Sequence, residues 1–150
     1  MKGTRYGLFA LSALFVVGIS AIASTHPVSA QPAQQASTRM AVTLSEFSIV
    51  PEVAQVPAGD VTFDVVNTGE DVHEMIVIKS DLDIKALPPS STAKNEVDEN
   101  AIGEYIGGFE DVQSGTGASG TLVLAPGRYI LLCNLSKHYE NGMVTTLQVN

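Results

Sequence analysis

Short apolar runs with a two-residue period, each closed by a turn containing Gly or Pro, recur from Arg39 onward and set the structural class of the chain. Val42 and Leu44 alternate with polar neighbours, and Phe47 and Ile49 continue the alternation up to Pro51, which ends the segment. Pro57-Ala58-Gly59-Asp60 forms a turn, Val61, Phe63 and Val65 mark one face of the next strand, and Asn67-Thr68-Gly69-Glu70 turns the chain again. Residues 72–79, 121–124, 128–133 and 143–149 read as further strands, with Ala125-Pro126-Gly127 as the turn between two of them. No long segment carries apolar residues at helical spacing. The pattern therefore predicts an all-β fold, a two-sheet antiparallel Greek-key β-sandwich. It lapses at Pro88-Pro89 and the acidic stretch through Asn100, which predicts an irregular or short helical insert around 81–101, followed by a strand in 102–109 and a glycine-rich stretch over 113–120.

The amino terminus reads as an address. Lys2 and Arg5 precede an uncharged run over residues 8–23, and Val28 and Ala30 satisfy the small-residue rule for a cleavage site. The run is shorter than the ~20 apolar residues a spanning helix needs, so a cleaved signal is favoured over a membrane anchor. Cleavage after Ala30 is the first choice, and cleavage after Ala23 is the second. A lipid anchor would need a cysteine just after the signal, and the single cysteine is Cys133. The layout is a signal peptide over 1–30, a flexible Gln/Ala/Ser/Pro leader over 31–38, and one domain over 39–150. The expected location is periplasmic or extracellular, with no stable membrane insertion after cleavage.

Charge narrows the partners. The formal net charge is -8, and loss of Lys2 and Arg5 with the signal makes the exported chain more negative still. Such a surface repels phosphate backbones, so nucleic-acid binding is not expected. One cysteine makes no internal disulfide and no Cys-rich zinc site, and an exposed thiol outside the cytosol would oxidise. Cys133 is therefore expected to be buried or bound.

After signal removal the soft or borderline metal donors are few: His73, His138, Cys133, Met40, Met75 and Met143. Cys133 ends a strand on which Tyr129, Leu131 and Cys133 share one face. His138 follows five residues later and Met143 five after that, just past Gly142. A loop of that length can turn a thiolate, an imidazole and a thioether toward one point. His73 opens another strand, and two strand ends can meet at one pole of a sandwich. Two imidazoles, one thiolate and a weak axial thioether suit a blue-copper electron-transfer site. Met75, two residues after His73, reads as core packing. A buried, unliganded Cys133 and a Cys133–His138 nucleophile pair are the competing readings; the second lacks an orienting acid and oxyanion donors.

Residues 67–79 (NTGEDVHEMIVIK) and 126–149 (PGRYILLCNLSKHYENGMVTTLQV) resemble the cupredoxin family of plastocyanin, azurin and rusticyanin, as found in small secreted bacterial domains. The resemblance implies copper ligation by His73, Cys133, His138 and Met143, one type 1 Cu ion, and one-electron transfer between Cu(II) and Cu(I) in place of enzymatic turnover. It also implies a monomer that meets a redox partner protein, with a basic cytochrome-like protein or an oxidase as the expected kinds. There are two departures. Glu74 stands where plastocyanin and azurin have an Asn hydrogen-bonded to the cysteine loop, which removes the expected basis for that link. Ser136-Lys137 stands where many relatives have Pro-Gly, which implies a looser loop and a positive charge beside His138. The loop around Leu135, Tyr139 and Gly142 is expected to surround the His138 edge as an apolar exit for the electron. Glu70, Asp71 and Glu74, with Glu96, Asp98, Glu99 and Glu104, provide either solubility or a docking surface. The alternative function is a copper carrier or copper-resistance protein that delivers or sequesters the metal; a module that has lost copper is least consistent with the intact donor set.

Overall fold

The computed structural model describes residues 37–150, so the expected signal peptide and most of the leader lie outside the described residues. Nine strands are described: β1 (Thr38–Ser45), β2 (Ser48–Pro51), β3 (Gln55–Val56), β4 (Gly59–Asn67), β5 (His73–Lys79), β6 (Glu104–Val112), β7 (Gly117–Leu124), β8 (Gly127–Leu132) and β9 (Val144–Val149). A single helical turn, α1 (Glu99–Ile102), closes the insert; the Asp98 side chain caps it by accepting from Asn100 N. No helix among the described residues is long and apolar enough to cross a membrane.

The strands form two sheets, in the orders β2-β1-β4-β7 and β3-β9-β8-β5-β6. The sandwich expected from the alternating pattern is present, with one difference: β1–β4 and β3–β9 are parallel pairs. Parallel neighbours need a crossover, and the chain between β1 and β4 supplies one by placing β3 at the edge of the other sheet. Alternation sorts the four-stranded sheet cleanly. Met40, Val42, Leu44, Val61, Phe63 and Val65 face the core, whereas Thr62 pairs with Thr121 and Arg39 with Asp64 on the more solvent-accessible face.

The five-stranded sheet is covered on both sides. Met75, Val77, Tyr129, Leu131 and Leu147 join the core between the sheets. On the opposite face Ile76, Ile78, Ile130 and Leu132 pack with Leu87, Val97 and Ile102 of the insert. This explains why the centres of β5 and β8 are apolar at consecutive positions. The second half of the glycine-rich stretch extends the strand expected at 121–124 backward, giving β7 from Gly117. A Cβ at Gly120 would lie 3.2 Å from the Phe109 ring, so a larger residue there would require that ring to shift.

Candidate metal centre

His73 is the first residue of β5 and Cys133 directly follows β8, neighbouring strands whose ends are brought to one pole of the sandwich. Both side chains are fully buried. The polypeptide between Cys133 and Met143 is held by its own backbone: Met143 N donates to His138 O at 3.0 Å, His138 N to Leu135 O at 2.8 Å, and Cys133 N to Met143 O at 3.1 Å. Gly142 has φ 101, a left-handed conformation that glycine adopts without a Cβ clash. This turn directs the loop back toward Cys133 and starts β9.

The donors converge. His73 Nδ1 lies 3.3 Å from His138 Nδ1, and Cys133 Sγ lies 3.2 Å from the same nitrogen. One donor atom from each of the three residues lies within 4.8 Å of the others. Metal–nitrogen bonds of about 2 Å and metal–thiolate bonds of about 2.3 Å, meeting near tetrahedral angles, separate their donors by about 3.3–3.5 Å. The spacing fits one ion. Met143 is fully buried in the same core cluster as Cys133 and Met75. The thiolate, imidazole and thioether set suits one type 1 copper ion, and Met75 packs in the core as its sequence position indicates.

Burial sets the resting protonation of these groups. The Cys133 thiol is pushed up to about 11, chiefly by burial. In the metal-free protein it is therefore protonated at neutral pH, and metal binding must release that proton. Burial first, and the neighbouring His73 second, hold His138 below the usual imidazole range. That favours the neutral ring a metal needs.

Both departures from the cupredoxin pattern are resolved by contacts. Glu74 Oε1 accepts from Asn134 N at 2.8 Å, so the carboxylate makes the link from the first histidine's neighbour to the cysteine loop. The link that Glu in place of Asn had put in question is therefore present, made by a carboxylate. Its carboxyl lies above the usual range, first because it is partly buried; the Asn134 N–H opposes that, and Glu99, Glu110 and Glu96 reinforce it. Lys137 adopts φ 72, the left-handed conformation that a glycine takes more easily. The loop is not loosened: Lys137 N donates to Asn95 O at 3.0 Å and Ser136 Oγ to Lys94 O at 3.3 Å. The insert therefore braces the loop.

Tyr139 lies elsewhere than expected. Its hydroxyl donates to Ile84 O and accepts from Leu87 N, and its ring packs on the insert side of the sheet. The aromatic side chain beside His138 is Phe47, edge-on with ring centroids 5.1 Å apart. Three other residues escaped the sequence reading. Glu46, in the turn between β1 and β2, places Oε1 3.1 Å from His73 Nε2. Asn134 is buried and binds both backbone groups of Val97. Asn67 is buried and orders the approach to His73, donating to Asp71 O and Val112 O and accepting from Gly69 N. Polar residues next to a ligand or at a strand end are the only sequence signal for these three, and turns produce the same signal.

A family model described as a cupredoxin-like domain matches residues 12–124. The match includes His73 and ends before Cys133, so the carboxy-terminal ligand loop stands on its geometry. No curated protein matches the chain. Among solved structures, auracyanin from Roseiflexus castenholzii is 22% identical over 77% of this chain and 98% of its own, with TM-score 0.58. Rusticyanin from Thiobacillus ferrooxidans is 15% identical over 77% and 79%, with TM-score 0.55. Auracyanin A from Chloroflexus aurantiacus, described as a "blue" copper protein, is 18% identical over 75% and 99%, with TM-score 0.51. At these identities the likeness is one of fold.

Proposed function

The chain belongs to the cupredoxin-like domain family, and from that premise we propose that it is an exported one-electron carrier in which His73, Cys133, His138 and Met143 hold one type 1 copper ion. The observation that carries this reading is the convergence of His73 Nδ1, His138 Nδ1 and Cys133 Sγ at the end of a rigid sheet. When bound, copper supplies a one-electron couple between Cu(II) and Cu(I). The protein's part is to hold the donors still. Cys133 and His73 are fixed by neighbouring strands, and His138 by its bonds to Leu135 and Met143. Small rearrangement on redox is the property an electron carrier needs, and a closed donor set leaves no place for a substrate.

His138 is the partly exposed ligand, with Phe47 against its ring and Leu135 packed close to the core. These residues form the proposed exit for the electron. The negative formal charge supports a basic redox partner, such as a cytochrome or an oxidase, docked by a monomer. Association with such a partner should slow as ionic strength rises. Export predicts an amino terminus at Gln31 on the secreted protein, or at Ser24 if the alternative site is cut.

The test is a visible absorption spectrum of the Cu(II)-loaded protein, repeated on Cys133→Ser. An intense thiolate-to-copper band in the first and none in the second supports the reading. A folded, reduced protein without the band overturns it. Fast electron self-exchange with copper retained in both states then separates a shuttle from a carrier, which would release Cu(I) to an acceptor.

A further inference from the structure

His73 has a second nitrogen that faces away from the donor cluster, and it does not meet a backbone carbonyl. Its Nε2 lies 3.1 Å from Glu46 Oε1. That same oxygen accepts from Glu70 N and Asp71 N, each at 2.8 Å. Those amides belong to the turn that Asn67 orders through Gly69 N and Asp71 O. Gly69 is part of the same cradle, because a Cβ there would overlap the Glu46 carboxylate. The β1–β2 turn in one sheet thus reaches the first residue of β5 in the other, and its carboxylate is received in a shaped seat by the turn over 67–71.

We infer that Glu46 is a positioning residue for the metal centre: it fixes His73 as the Nε2–H tautomer, aims the Nδ1 lone pair at the donor cluster, and biases the site toward Cu(II). The inference rests on the copper reading above. An ionised carboxylate only accepts hydrogen bonds, so the proton of a neutral His73 belongs on Nε2. This leaves Nδ1, the nitrogen 3.3 Å from His138 Nδ1, free to donate its lone pair. A carboxylate on the far N–H also strengthens the imidazole as a ligand, and the more highly charged ion gains more from that. His73 is fully buried and its ring touches two polar groups, Glu46 on one edge and His138 on the other. The orientation is therefore set by Glu46 even before metal arrives.

The test has a readout on each side of metal loading. In the metal-free protein, ¹⁵N shifts of His73 should report a single Nε2–H tautomer; Glu46→Ala should give a mixture of tautomers. In the loaded protein, Glu46→Gln keeps an oxygen for the amides but removes the charge, and should weaken Cu(II) binding about tenfold relative to Cu(I). For one electron a tenfold differential is a 59 mV rise in midpoint potential. Gly69→Ala keeps Glu46 but displaces its carboxylate, and should reproduce the tautomer mixture should Glu46→Ala prove unstable. An unchanged tautomer in Glu46→Ala or Gly69→Ala, or an unchanged potential in folded Glu46→Gln, overturns the inference. Because the tautomer is read without copper, its failure is distinguishable from loss of the Cys133-dependent band.

Discussion

Asn134→Ala tests whether the insert is fastened to the sheet mainly through one side chain. Asn134 is buried, and its amide treats Val97 as a strand neighbour would: Oδ1 accepts from Val97 N at 2.8 Å and Nδ2 donates to Val97 O at 3.1 Å. The same Nδ2 donates to Glu99 Oε1 at 2.8 Å. Val97 is itself buried, and it pairs with Pro89 across the insert. Truncation leaves a buried N–H and a buried C=O without partners, at about 1–3 kcal/mol for each group. A loss of about 3 kcal/mol is the expected result, a fall in Tm on the order of 10 °C for a domain of this size. Urea unfolding at 25 °C followed by circular dichroism measures it, and amide exchange at Val97 locates it. Asn134→Asp should cost more at neutral pH, since its second oxygen would face both Val97 O and the Glu99 carboxylate. A loss below about 1 kcal/mol for Asn134→Ala, or Val97 protection equal to wild type, argues against this role: the insert would then be held by Leu87, Val97 and Ile102 packing and by its bonds to Ser136, Lys137 and Tyr139.

Tyr129→Phe removes the hydroxyl that donates to Ala125 O at 2.7 Å and should cost about 1 kcal/mol in urea unfolding, with the spectrum of the copper-loaded protein unchanged. Met143→Leu is close to volume-conserving and should cost less than about 1.5 kcal/mol; the thiolate band should persist, and its disappearance would mean that Met143 is more than a weak axial contact. Tyr139→Phe takes one partner from Leu87 N and one from Ile84 O, which should lower stability by about 1–2 kcal/mol and speed amide exchange at Leu87. Phe47→Asp should slow electron transfer to a partner while leaving the visible band alone, and an equal rate would remove Phe47 from the exit surface.

The strand positions were legible because alternation is a local property. Val61, Phe63 and Val65, or Tyr129, Leu131 and Cys133, share a face whatever the topology, and burial follows from that face. The metal donors were legible for a different reason: few soft ligands survive in the chain, and three of the four lie within eleven consecutive residues. The insert was visible as a lapse in pattern, but its role was not. The doubly apolar runs at Ile76–Val77–Ile78 and Ile130–Leu131–Leu132 indicate that something covers the outer face, without saying which segment does.

The class of fold, the donor types and their approximate pole follow from residue identity and from spacing within one strand or loop. Tertiary structure decided the rest. Parallel pairing of β1 with β4 depends on where the intervening chain crosses, which no local pattern records. Glu46 reaches His73 from 27 residues away, Glu74 reaches Asn134 from 60, and Asn134 reaches Val97 from 37. Each of these is a hydrogen bond between groups a few ångströms apart in space and far apart along the chain. A carboxylate or an amide in a sequence reads the same whether it faces water or a ligand, and only the packed sheets decide which.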